Sequence, residues 1–176
     1  GSANLYGGNH PENMKRYSGT DVEDITEYVV KNQMVLLEKL KQSERMERDV
    51  VTLPAMPQFR TTCCIIGEHV FCETDMFKHH EHSIGVIGDF ERKDYLYEIP
   101  YETLIHKEFP NFITAGRSAS AVGYGWDVLR VIPPAIITGQ AAGIAASVAV
   151  DDNTEIYDID VAKLQKKLMN ANVIIH

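Results

Sequence analysis

The sequence predicts a protein of the mixed α/β (α+β) class, and three stretches of the chain support this. Residues 20–46 have the apolar spacing of an amphipathic helix, and residues 59–105 are rich in β-branched and aromatic residues. An uncharged stretch with many Gly and Ala residues follows from Val131 to Val150. Among the 176 residues, 44% are hydrophobic and 24% charged, so the chain has the composition of a globular protein with a real core.

A first helix is predicted from about Thr20 to about Met46. Thr20 and Glu23 have the spacing of a capping box, in which an N-terminal hydroxyl and a carboxylate three residues later satisfy free backbone amides. One face of the helix would be apolar, since it collects Val22, Ile25, Val29, Leu36 and Leu40.

Extended segments are predicted between Phe59 and Gly116. The run RTTCCIIGEHVFCETD is interrupted by Gly67, which indicates two strands joined by a tight turn. Residues 83–87 form a third strand candidate, and YLYEIPYETLI a fourth, in which Pro100 favours an edge or a bend. The run NFITAG is typical of a short buried strand ending at Gly116.

A second long helix is predicted from about Pro133 to Val150, because proline is well tolerated in a first helical turn. Its small residues share one face at spacings of three and four: Gly139, Ala142, Gly143 and Ala146. Such a face allows close packing on a sheet, and it equally allows a flat ligand to approach the backbone. A last helix is predicted near residues 161–170, followed by a closing strand at the apolar VII.

The stretch from Val131 to Val150 is also long enough to cross a bilayer. Many of its positions are Ala or Gly, Gln140 lies in its middle, and Asp151 and Asp152 follow without a basic flank. We therefore expect no membrane partner. The net charge of −8 likewise argues against nucleic acid as a partner.

The cysteine and histidine residues predict no disulfide framework and no metal site. Cys63, Cys64 and Cys72 are too few and too close in sequence for a framework, so reduced thiols and a cytoplasmic location are expected. The segment KHHEH, residues 78–82, is interpreted as a polar loop with solvated histidines. The alternative is a metal site with His79 and His82, spaced three apart, His69 and nearby carboxylates such as Asp75. No catalytic residue can be assigned from these patterns.

Several runs together resemble the C-terminal part of the FAD-dependent oxidoreductase family. The resemblance extends from about Phe59 to the end of the chain and includes FRTTCCIIGEH. Its most specific elements are YEIPYETLI, NFITAGRSASA, LRVIPPAIITGQAAGIAASVAV and VAKLQKKL. It implies an enzyme that transfers hydride between a small organic substrate or a nicotinamide and the flavin of FAD.

The resemblance also implies which residues close the isoalloxazine and ribityl side of the FAD site. They lie at the AGR turn and around the start of the following helix: Gly116, Arg117, Ser118, Arg130, Val131 and Gly139. A helix N-terminus there would favour the negative charge of reduced flavin. Arg117 and Arg130 are the nearby cations, and each could equally form an ordinary surface ion pair.

One departure from the family pattern is that no G-x-G-x-x-G turn occurs to cradle the pyrophosphate of FAD. With the tag-like Gly1-Ser2 start, this predicts a C-terminal fragment, inactive alone and purified without FAD. Residues 1–105 would belong to a β-rich substrate-domain portion and residues 106–176 to the FAD-binding domain. The expected partners are the missing N-terminal dinucleotide-binding part and, in its absence, further copies of the chain. The alternative is a non-enzymatic module whose small-residue helix docks on a partner.

Overall fold

The computed structural model describes residues 15–44, 46–47, 50–53, 55–57 and 59–176, which fall into two compact units. The first unit comprises residues 1–62 and the second residues 63–176. The fold contains helices and a two-stranded sheet, so the predicted mixed α+β class is confirmed.

The first unit contains helix α1, Val22–Lys41. Its N-cap is Asp21, whose carboxylate accepts a hydrogen bond of 2.8 Å from the Asp24 amide. The predicted capping box of Thr20 and Glu23 is therefore wrong by one position, because Asp caps a helix as well as Thr does. The helix also ends before the predicted Met46. In this unit the Tyr28 ring packs against Phe59, with 5.1 Å between ring centroids.

The sheet of the second unit is an antiparallel hairpin of β1, Ser83–Gly88, and β2, Leu96–Pro100. The predicted third strand is thus confirmed, and the fourth is confirmed for its first half, since a 3-10 turn follows at Tyr101–Thr103. The hairpin places Ile84, Ile87, Tyr97 and Ile99 in the core. A Cβ atom at Gly85 would lie 2.6 Å from Cγ2 of Ile137, so glycine is what allows β1 to approach the neighbouring helix this closely.

Three helices complete the second unit: α2, Gly123–Leu129; α3, Ile132–Asp152; and α4, Val161–Asn170. The predicted long helix and last helix are confirmed as α3 and α4. The α3 helix packs against β1 and α4, and its buried residues are mostly small: Pro134, Thr138, Ala141, Ala145, Val148 and Ala149. Asp160 caps α4 by accepting from the amides of Ala162 and Lys163, and α4 buries Leu164 and Leu168.

Among the described residues, α3 is the one helix with the length and hydropathy of a membrane span. In its most apolar 18-residue window, 33% of the residues are buried inside the fold. Core helices of non-membrane proteins meet the same criterion, so composition and length alone are weak evidence for a span.

Two predicted groups of strands are wrong. Residues 63–72 form no β-strand. Single backbone hydrogen bonds connect them instead to a segment distant in sequence: the Ile65 amide donates to Ser118 O at 2.9 Å, and the Phe71 amide donates to Ser120 O at 3.1 Å. The run NFITAG likewise makes only an isolated bridge between Ile113 and Ile105. The predicted turn at Gly67 is replaced by close packing, since a Cβ atom there would lie 2.7 Å from Glu102 O.

The predicted closing strand at VII, residues 173–175, does not form, although this segment lies beside β1. Ile174 O accepts from the Val86 amide at 2.9 Å, and Ile175 O accepts from the Ser83 hydroxyl at 2.7 Å. These bonds attach the end of the chain to the hairpin.

The helix α2 forms in a stretch for which no helix was predicted. Gly125, inside this helix, disfavours it by about 1 kcal/mol relative to alanine. However, a Cβ atom at Gly125 would lie only 2.5 Å from Cα of Cys72. The glycine therefore allows α2 to lie directly on the Cys72 backbone, and this packing outweighs the low helix propensity.

The predicted domain boundary at residues 105/106 does not coincide with the boundary between compact units. Ile99 and Leu104 share one hydrophobic core with Ala141 and Leu164. As an assignment of two functional parts within a longer protein, the division into residues 1–105 and 106–176 stays a prediction.

Two glycine substitutions test this packing with opposite expected signs. Gly125→Ala should lower the free energy of unfolding by about 1–3 kcal/mol, because its Cβ atom overlaps the Cys72 backbone. Gly143→Ala should raise it by about 0.4–1 kcal/mol, because nothing lies within 4 Å of its Cβ position and the unfolded chain loses freedom. Urea denaturation followed by circular dichroism measures both, and equal effects would contradict the packing described.

Candidate functional site

The AGR turn is fixed against the first two turns of α3. Gly116 has φ of +63°, a conformation that glycine adopts without strain, and its amide donates to the Thr138 hydroxyl at 2.9 Å. That hydroxyl is buried and donates in turn to Pro134 O at 2.7 Å. A Cβ atom at Gly116 would lie 3.5 Å from Ala135 Cβ. The position of the turn on the helix is therefore set by its hydrogen bond to the Thr138 hydroxyl and by its van der Waals contact with Ala135.

Arg117 and Ser118 lie on the exposed side of this turn. The Arg117 carbonyl accepts a hydrogen bond of 3.0 Å from the Trp126 indole, and Ser118 O accepts from the Ile65 amide. Their backbones are thus held by neighbouring segments while their side chains face outwards.

Arg130 is paired with Asp127. Its Nε and Nη2 both lie 2.7 Å from Asp127 Oδ1, and the arginine side chain is 18% exposed. Of the two uses left open for Arg130, an ion pair is the one formed in this structure. Its positive charge is therefore largely compensated by Asp127.

The start of α3 offers few hydrogen-bond donors to an anion. Val131 is the N-cap, and the first turn continues with Ile132, Pro133 and Pro134. The two prolines have no amide hydrogen, so only the amides of Val131 and Ile132 can point outwards here. This helix N-terminus therefore offers only two free N–H groups, although the partial positive charge of the helix dipole remains.

A smooth open face runs along α3. We define the open face by its exposed members Ile132, Ile136, Gly139, Gly143 and Val150, which recur at helical spacing. Ile132 and Val150 are 76% and 81% exposed, and nothing lies within 4 Å of a Cβ position at Gly139 or Gly143. Of the predicted small-residue face, Gly139 and Gly143 are thus exposed and uncovered within residues 63–176, whereas Ala142 and Ala146 are half-buried.

The six predicted cofactor-binding residues gather around the N-terminal half of α3. Gly116 is bonded to Thr138, Gly139 is the next residue on the helix, and Arg130 and Val131 immediately precede α3. Gly139 lies two turns into the helix rather than at its start. Contact of these residues with a cofactor stays a prediction, and the open face makes room for it.

A histidine cluster lies elsewhere in the same unit, and the sequence analysis did not group His80 with His69 and Asp75. His69 Nε2 is 3.0 Å from Asp75 Oδ2, and His80 Nε2 is 3.6 Å from Asp75 Oδ1. Asp75 is 1% exposed and His80 17%, so the description of solvated histidines is wrong for His80, while it fits His79, at 69%. A buried aspartate between two histidines gives no periodic signal, since His69 and Asp75 are brought together by the 3-10 turn at Glu73–Asp75.

Burial and hydrogen bonding set the protonation of this cluster. Burial of Asp75 opposes its ionisation, but the Cys72 amide at 2.9 Å and His69 outweigh it and lower the carboxyl pKa below its usual value. Burial lowers the pKa of His80, against the opposing attraction of Asp75. A second, more exposed group joins His79, Glu98 and His176.

Comparison with known proteins identifies the family. The family described as FAD dependent oxidoreductase matches residues 6–168, which include the AGR turn, α2, α3 and the histidine cluster. Curated proteins and solved structures give no significant match to the chain. The suspected resemblance is confirmed across well over half of the sequence. The chain belongs to the FAD dependent oxidoreductase family.

Proposed function

We propose that the chain is the C-terminal portion of a flavin enzyme and supplies one wall of its FAD site. The observation that carries the proposal is the open face of α3, where Gly139 and Gly143 leave the helix backbone uncovered next to the AGR turn. A flat ring can lie on such a surface at van der Waals distance, whereas larger side chains would keep it away.

The residues of this wall fit part of FAD and not the whole of it. The open face and the exposed Arg117 and Ser118 suit the isoalloxazine and ribityl groups. The sequence carries no glycine-rich turn for the pyrophosphate, so that group would be held by a dinucleotide-binding part of the same longer protein. The proposed fragment character, and the absence of FAD after purification of these 176 residues, both follow from this division.

When bound, flavin would supply the hydride chemistry, exchanging a hydride with a small organic substrate or a nicotinamide. The chain's own contribution is binding and orientation. Thr138 holds the Gly116 turn, Ile132 and Ile136 extend the apolar surface and exclude water, and the α3 dipole favours negative charge at its N-terminus.

The same open face would also fit the rival function, a module that docks on a protein partner. Its exposed isoleucines support association of the isolated chain with further copies, because exposed apolar patches find partners. The two functions differ in what happens to flavin when the face is blocked.

Gly139→Leu in the longer, flavin-loaded protein tests the proposal. The leucine should occupy the space assigned to flavin and lower FAD occupancy, with an affinity loss of about 1–3 kcal/mol. In the isolated chain the same change should not lower the melting temperature, since the position is open and leucine favours helix over glycine. Absorbance of the flavin band and thermal unfolding measure the two effects.

Ala162→Leu provides the matched control, because Ala162 is an exposed small residue on α4 and not a member of the open face. It should leave FAD occupancy unchanged. Wild-type flavin content in Gly139→Leu, together with loss of a protein partner, would favour the docking module instead.

The Asp127–Arg130 pair provides a second prediction, on the flavin reduction potential. Asp127→Asn leaves the Arg130 charge uncompensated and should raise the potential, whereas Arg130→Ala leaves Asp127 and should lower it. The expected shifts are tens of millivolts, since about 1.4 kcal/mol corresponds to about 30 mV for a two-electron couple. Spectroelectrochemical titration measures them, and the double variant should return close to wild type. Potentials that stay fixed in both single variants would place this pair away from the flavin.

A further inference from the structure

We infer that His69, Asp75 and His80 form a binding site for one divalent transition-metal ion, of which Zn²⁺ is the probe. One ligand atom from each residue lies within 4.8 Å of the other two. Two imidazoles and a carboxylate are a donor set that first-row divalent ions take in proteins, and three protein ligands leave a position for water or another ligand.

The backbone fixes each of the three residues before any ion binds. Asp75 is held by the Cys72 amide at 2.9 Å within the 3-10 turn Glu73–Asp75. The His80 amide donates to Glu98 Oε2 at 2.6 Å, and the His69 amide donates to Glu102 O at 3.2 Å. The ligands are therefore preorganised, which reduces the entropy that binding must overcome.

The state of His80 indicates an ion more directly. Its Nε2 atom is buried and has no hydrogen-bond partner, although it lies 3.6 Å from an Asp75 oxygen. Buried polar atoms are nearly always satisfied, so an orphaned ring nitrogen facing a buried carboxylate needs a partner. A metal ion between His80 and Asp75 would satisfy both.

The positive charge of Lys78 competes with a metal ion for Asp75, so a Lys78 variant is a useful control for metal binding. Its Nζ atom lies 3.5 Å from Asp75 Oδ1, and its side chain is 53% exposed, so it can swing into solvent. Lys78→Met keeps the length of the side chain and removes the competing charge. It should therefore tighten metal binding.

Calorimetric titration of the metal-stripped chain with Zn²⁺ should show one saturable site. Loss of a residue that only orients a ligand already costs about 10–100-fold in affinity, so His69→Gln and His80→Gln should each cost at least about 100-fold. His79→Gln and His176→Gln, in the more exposed group, should leave the affinity unchanged. The Cys63→Ser/Cys64→Ser double variant should do the same, which excludes these two thiolates as ligands.

X-ray absorption of the wild-type protein with Zn²⁺ decides the matter even where a variant fails to fold. The proposal requires two imidazole nitrogens and a carboxylate oxygen at about 2.0–2.2 Å, without sulfur. Three results would overturn it: no saturable binding, a sulfur ligand, or an affinity that depends on His79 and His176 rather than on His69 and His80.

Discussion

Close packing along the buried side of α3 is the constraint on which the rest of residues 63–176 depends. Ala141 and Ala145 are fully buried and present almost no side chain, so neighbouring elements approach the helix backbone closely. Gly85 allows β1 to receive Ile137, and Thr138 fixes the AGR turn. A larger residue at any of these contacts would push the hairpin or the turn outwards, because protein cores have little spare volume.

On the opposite side of the same helix, the open face places Gly139 and Gly143 among exposed aliphatic residues, and nothing within residues 63–176 covers the two glycines. Glycine in a helix costs about 1 kcal/mol relative to alanine, and at Gly139 and Gly143 no packing within the described residues offsets that cost. The proposed contact of this face with flavin would give that cost a functional reason. The ion pair of Arg130 with Asp127 and the two prolines at the start of α3 show that the positive charge offered to such a ligand is modest.

The sequence predicted the helices and strands whose residue pattern lies within the element itself. It failed for segments whose conformation depends on contacts with residues distant in sequence. The patterns of β1, β2, α3 and α4 lie within each element. The helix α2 depends instead on the contact of Gly125 with Cys72, and residues 63–72 bond one by one to the segment around Ser118 and Ser120. Because α2 was not predicted, the i,i+3 pairing of Asp127 with Arg130 could not be foreseen either. The histidine cluster was missed because burial of Asp75 leaves no trace in residue spacing.

A structure of the longer protein with FAD bound tests the central claim most directly. Our account predicts that the isoalloxazine ring lies in van der Waals contact with the backbone at Gly139 and Gly143, beside the Gly116 turn. It would be contradicted by a flavin bound elsewhere, with this face of α3 covered by protein side chains.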